Sequence, residues 1–306
     1  MKMKKIAVFG VAGVLACSSL TACGSKVTLP KEPAKIAAAA DKETAKLDSF
    51  DGSGKLEFAG KVMGEDISFD ADISMTYFRE PMKLKVDVNY AMQDEKDMTA
   101  SVYFMQEDDN YVMYTGVEDN WEKMTLDEKN DSQKKLVDML DKLQKSDGKI
   151  EDTEKNYKGK IEKSSEKGED GTTVLNYKVT GEEMEKNITE SGALDQLKTL
   201  GLSEDLFADL KDLNVKMVVD NDTIYWKSIE TDCTEFTQCI LDKVMDTVKT
   251  MYGSYLDKSV DLSAKLDKVS FKFTFDSYNK SSDFKLPDKA KDAKETNATS
   301  LLEEAK

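Results

Sequence analysis

The residues able to do chemistry in this sequence are few in kind. Of 306 residues, none is histidine and four are cysteine. Without imidazole there is no Ser-His-Asp or Cys-His nucleophile, no His-ligated zinc or haem, and no histidine pH switch. Arg79 is the single arginine, so bidentate phosphate or carboxylate clamps, which favour the guanidinium fork, have almost no residue to use. Cys233 and Cys239 are separated by five residues, the spacing of neither a C-x-x-C redox pair nor a zinc knuckle. Outside the cytoplasm they could form one small disulfide or remain thiols, and the spacing leaves both open. Ser164-Ser165-Glu166-Lys167 matches S-x-x-K, but the S-D-N and K-T-G partners of that set are absent. Asp70-Ala71-Asp72-Ile73-Ser74 lacks the glycine and terminal glutamate of a calcium loop, and its alternation puts both aspartates on the solvent side of a strand. No catalytic residue, metal site or cofactor is expected.

Residues 1–5 are basic, Ile6 to Ala16 is apolar, and Leu20-Thr21-Ala22-Cys23 follows, which is the layout of a secretory leader too short to span a membrane. Leu-Thr-Ala before Cys is similar to the lipobox of bacterial lipoproteins. The resemblance implies cleavage of residues 1–22 and lipidation of Cys23, which becomes an anchor on the extracytoplasmic face of the cell membrane. Cleavage removes Lys2, Lys4 and Lys5 from a net charge of −16, leaving −19. Such a surface repels nucleic acid and anionic lipid headgroups alike. Gly24 to Ala34, with Pro30 and Pro33, reads as a tether of at most about 35–40 Å.

The elements follow from hydrophobic period. Lys35–Leu47 is Ala- and Lys-rich and reads as a helix. Leu56, Phe58, Gly60 and Val62, then Phe69, Ala71, Ile73, Met75 and Tyr77, then Met82, Leu84, Val86, Val88 and Tyr90 alternate with polar residues, the signature of antiparallel strands with one apolar face. Segments 98–106, 110–115 and 121–126 continue the meander. Further strands are expected over 156–163, 172–180, 215–219, 223–230 and 269–275, with helices over 127–145, 181–189, 193–210 and 236–255. The polar chain from Asn279 onward is expected to be loosely held. Roughly ten one-faced strands need cover, and the amphipathic helices are what is available. The expected fold is α+β: a large curved antiparallel β-sheet, a half-barrel, with helices packed across its concave face. The expected layout is a leader over 1–22, a tether over 23–34, one domain over 35–290 and a polar tail over 291–306.

The lipobox, the first helix, the meander at Leu56–Leu126, Asp119-Asn120-Trp121-Glu122-Lys123-Met124 and Phe275-Asp276-Ser277-Tyr278-Asn279-Lys280 together resemble half-barrel lipoproteins of the LolA/LppX type, in an uncharacterised Firmicutes branch. The likeness is one of pattern and order over most of 35–290. It implies a hydrophobic cavity between sheet and helices that holds a lipid-like ligand. Candidate lining residues are Phe58, Phe69, Ile73, Met75, Leu84, Val86, Val88, Phe271 and Phe273. The methionines of the meander (Met63, Met75, Met82, Met92, Met98) suit either a soft cavity wall or ordinary core packing. The expected function is non-enzymatic ligand holding at the membrane. The alternative is an interaction or scaffold module with a filled core that meets an envelope protein partner.

Overall fold

The computed structural model describes residues 28–92, 97–107, 110–127, 133–134, 137–138, 140–141, 144, 153–191, 204–252 and 261–295. The expected leader, Cys23 and residues 24–27 of the expected tether lie outside them.

Helix α1 (Pro33–Thr44) opens with proline in its first turn, where the missing N–H is no loss, and ends at Ala45, whose N–H returns to the Asp41 carbonyl. Six strands then run as a meander: β1 (Ser49–Val62), β2 (Glu65–Phe78), β3 (Lys83–Met92), β4 (Met98–Glu107), β5 (Asn110–Val117) and β6 (Asn120–Thr125). The chain crosses from this edge to the opposite edge of the sheet through helical residues among 133–144 and a single turn, α2 (Glu154–Tyr157). It resumes with β7 (Ile161–Lys163), β8 (Thr172–Val179), α3 (Gly181–Ser191), a 3-10 turn (Glu204–Phe207), β9 (Leu213–Asp220), β10 (Trp226–Asp232), α4 (Thr234–Tyr252) and β11 (Ala264–Tyr278). A short helix α5 (Asp288–Lys291) and β12 (Lys294–Glu295) follow.

All twelve strands form one open sheet in the order β12-β6-β5-β4-β3-β2-β1-β11-β10-β9-β8-β7. Among the described residues every strand pairing is antiparallel except β12 on β6. The curved α+β sheet is therefore as expected, with two more strands than the alternation suggested. β11 joins the halves: it pairs with β1 on one side and β10 on the other.

Register puts one apolar face along the whole sheet. Phe50, Tyr77, Leu84, Phe104, Met113 and Met124 face one another across β1 to β6, and Phe273, Ile229, Met217 and Leu175 continue the face across β11 to β8. Ile36, Ala37 and Ala40 of α1, and Val137 and Leu140 of the crossing segment, belong to the same buried cluster, so helices cover the concave side. α1 lies against α2, β7, β9 and β10.

Two features depart from the expectation. The chain beyond Asn279 is docked: Phe284, Leu286, Ala290 and Ala293 pack with Tyr103, Val112, Tyr114 and Trp121 on the convex face. Lys83–Asp283 (2.9 Å) and Lys289–Asp119 (2.6 Å) flank this strap, and the packed chain runs to Glu295. Trp121 reaches that cluster by lying over Gly116, where a Cβ would come within 2.6 Å of the indole. The second concerns 156–163, expected as strand throughout, where α2 ends at Tyr157 and only Ile161–Lys163 pairs. Of the helix expected over 193–210, residues 193–203 lie outside the described ones, and Glu204–Phe207 form a 3-10 turn.

Candidate functional site

The inner face of the sheet is built from alternate residues, and register carries all nine candidate lining residues to it. Phe58 faces Phe69, Ile73 faces Val88, Met75 faces Val86, Tyr77 faces Leu84, and Gly54 faces Phe273, with Phe271 opposite Leu56. They differ in depth. Ile73, Met75, Leu84, Val86, Val88 and Phe273 are all at most 8% exposed and form packed core. Phe58, Phe69 and Phe271 are half-buried, as is Leu56, and beyond them Ile67 is 38% and Met63 46% exposed at the β1–β2 turn. The face thus passes from sealed, near Phe50 and Met82, to partly open toward that turn. Met63 and Gly64 form the turn with φ of 54° and 83°, a two-residue hairpin geometry that glycine takes freely and methionine does not.

The sealed part is closed by fitting rings over glycines. A Cβ on Gly52 would lie 2.3 Å from the Phe273 ring, and Phe273 meets Phe275 edge-on at 5.2 Å. Sequence reading missed this pairing because glycine contributes nothing to an alternation count. Tyr90, which the alternation put on this face but which was not among the lining candidates, is 4% exposed, with its ring 5.9 Å from Phe69 and its hydroxyl on the Met98 sulfur.

Polar groups at the margin of this face hold the covering helices. Asp41 of α1 accepts hydrogen bonds from the Trp226 indole N–H (2.9 Å, Oδ1) and the Tyr157 hydroxyl (2.9 Å, Oδ2). Thr44 Oγ1 accepts the Trp226 backbone N–H at 2.7 Å. Burial pushes the Asp41 carboxyl above its ordinary range against the pull of these donors. At the other side, the Tyr111 hydroxyl lies 2.8 Å from Asp141 and 2.9 Å from Gln144, whose amide donates to Gln106. Burial, reinforced by Asp141, raises the Tyr111 pKa, and burial raises Tyr77 to about 12. The spacing of Asp41 from Trp226 in the sequence gives no signal of their contact.

The remaining candidates take structural positions. Arg79 donates through Nη2 to the Leu47 carbonyl and holds the α1–β1 loop. Asp70 and Asp72 are exposed on the outer face opposite Glu57 and Lys55. There Glu57 receives Lys268, Lys55 and Ser270, which lower its carboxyl to about 2. Ser164 accepts the Glu166 N–H in the turn after β7. Cys233 and Cys239 are free thiols, so the disulfide left open by their spacing is not formed. Cys233 Sγ points to Thr231 and Cys239 Sγ to the Asp209 carbonyl, Cys233 lying just before the first residue of α4 and Cys239 within it. Burial raises the Cys233 thiol. Among the described residues no group of three or more His, Cys, Asp or Glu could hold a metal, and no helix is long and apolar enough to cross a membrane.

A family model described as a family of unknown function, DUF6612, matches residues 32–295. No curated protein matches the sequence.

Proposed function

The chain belongs to the DUF6612 family, and from that premise we propose that it is a lipid-anchored, non-enzymatic binding protein that holds a lipid-like ligand against the inner face of its sheet. The observation that carries this reading is the gradient on that face. Leu56, Phe58, Phe69 and Phe271 are only half-buried although they lie in register with packed core. Apolar side chains in that state are surface that a hydrophobic occupant would remove from water, at roughly 25 cal/mol per Å². The leader and Cys23 support anchoring on the extracytoplasmic side, and a net charge of −16 before cleavage disfavours lying flat on an anionic bilayer.

A second reading is favoured by the other six candidates. Ile73, Met75, Leu84, Val86, Val88 and Phe273 are buried as an ordinary filled core, which suits a scaffold module that meets an envelope protein partner. One experiment separates the two. The protein is extracted from membranes in mild detergent and examined by native mass spectrometry. Ligand holding predicts a co-purified apolar adduct that Phe58→Asp diminishes. A bare mass in both proteins overturns it and leaves the scaffold reading. Attachment is tested separately, since Cys23→Ser should move the protein from the membrane to the soluble fraction.

A further inference from the structure

α1 has a small apolar grip on the inner face. Its buried side chains are Ile36, Ala37, Ala40, Glu43 and Thr44, one large apolar group among five. Hydrogen bonds at its C-terminal end stand in for the missing bulk: Asp41 to Trp226 and Tyr157, and Thr44 to the Trp226 backbone. The donors to Asp41 (Trp226, Tyr157 and Thr153) are all neutral, so parting them strands no buried cation. A carboxylate that burial disfavours gains hydration when it is lifted into water. The sheet beneath is held quite differently, since β1 and β2 pair without a register break from Ser49↔Phe78 to Val62↔Glu65. Upstream, Leu29 packs on the same apolar cluster as α1, so the described chain is already docked six residues after Cys23.

We propose that residues 28–44 form a strap that opens and closes over β7 to β10 as one unit, latched by Asp41 on Trp226 and Tyr157, while the sheet stays folded. Lifting it uncovers Trp226, which is 2% exposed, together with the inner-face residues Leu175, Met217 and Val219. The strap is also the segment that joins the anchor to the body, so access to this half of the face and attachment to the membrane share one piece of chain. Its use rests on the ligand-holding reading; its motion does not.

Native-state hydrogen exchange on the full chain tests it without any ligand. Helical amides of residues 36–44 should exchange about tenfold or more faster than paired amides of β1 and β2, because local opening costs less than global unfolding. Asp41→Ala should speed the α1 amides by about another tenfold and leave β1, β2 and β11 unchanged, with Asp41→Asn, which keeps one acceptor, intermediate. Helix amides that exchange as slowly as the β1–β2 ladder overturn the proposal, as does an Asp41→Ala protein in which all elements speed up together. If that variant does not fold, the wild-type comparison of helix with ladder decides alone. A rigid α1 would leave the lipid-adduct result intact, and a bare mass would leave the strap intact.

Discussion

Replacing Gln238 with alanine is expected to destabilise the protein by about 2–3 kcal/mol, through two unpaired backbone groups in the middle of the sheet. β10 ends at Asp232 while its neighbour β11 extends back to Ala264, so over 264–269 β11 is paired with β1 on one side and, among the described residues, has no strand on the side where β10 lies. α4 fills the gap with side chains. Gln238 Oε1 accepts the Leu266 N–H at 2.7 Å, its Nε2 donates to the Ala264 carbonyl at 3.0 Å, and Thr234 Oγ1 accepts the Val269 N–H at 2.8 Å. The Gln238 amide thus reproduces the donor and acceptor of a peptide group in a ladder. Leu266 is 6% exposed, so its orphaned N–H bears most of a desolvation penalty of about 1–3 kcal/mol, while water can reach the half-buried Ala264 carbonyl and recover part of its loss. At about 2–4 °C per kcal/mol for a domain of this size, the melting temperature should fall by about 5–10 °C, measured by calorimetry. Gln238→Glu keeps the acceptor but turns a carboxylate oxygen toward the Ala264 carbonyl and Asp242, so it should not rescue. The Leu266 amide, followed by exchange, should lose protection in both. A melting temperature within about 1 °C of wild type, with Leu266 still protected, would refute the view that this edge is closed by a side chain acting as a strand.

Three other outcomes follow from the same structure. Gly52→Ala should cost about 1–3 kcal/mol in urea unfolding, since its Cβ must displace the Phe273 ring, and an unchanged midpoint would mean that the ring moves freely. Glu57 has its folded pKa lowered to about 2 by Lys268, Lys55 and Ser270, so its stabilising contribution is present above its ordinary value near 4.5 and is lost as pH falls through about 2. Glu57→Gln should therefore lower the urea midpoint at pH 7 and not at the acid end, and an equal drop at both would show that charge is not the cause. Phe284→Ala removes the ring that stands 5.7 Å from Tyr103 and 6.0 Å from Phe78, and should cost about 1–2 kcal/mol and redden Trp121 fluorescence; an unshifted spectrum would show the outer strap held without it.

The sheet was legible where large apolar residues alternate. Phe69 to Tyr77 and Met82 to Tyr90 mark one face by themselves, and β2 and β3 lie where that period puts them. β1 begins at Ser49, well before the alternation seen from Leu56, because Gly52 and Gly54 occupy inner-face positions without side chains and a ring from β11 fills the space. The position of β11 between β10 and β1 was not legible, since period gives the face of a strand and never its neighbour. Ile224 shortens β10 for a local reason: it holds a left-handed φ of 57°, a conformation that a β-branched residue gives no hint of adopting. The outer strap was hidden by its composition. Phe284, Leu286, Ala290 and Ala293 are too sparse among Lys and Asp to form a periodic face, and they find partners only because Tyr103, Val112 and Tyr114 point outward. For the candidate site, the nine lining residues share one face as the alternation requires, but their division into packed and half-buried groups depends on where α1 and the crossing segment lie.

The central place of β11 has a consequence for how the protein is made. A chain that emerges amino-terminus first completes β1 to β6 and β7 to β10 as two sheet pieces, each with a bare edge, before the strand that joins them exists. β1 waits with a fourteen-residue edge for partners some 200 positions later, Phe50 for Tyr278 among them. Pairings of such long sequence separation form slowly, in milliseconds to seconds, and unpaired apolar strand edges are the surfaces through which chains aggregate. Substitutions in β11 should therefore reduce yield more than they reduce the stability of molecules already folded.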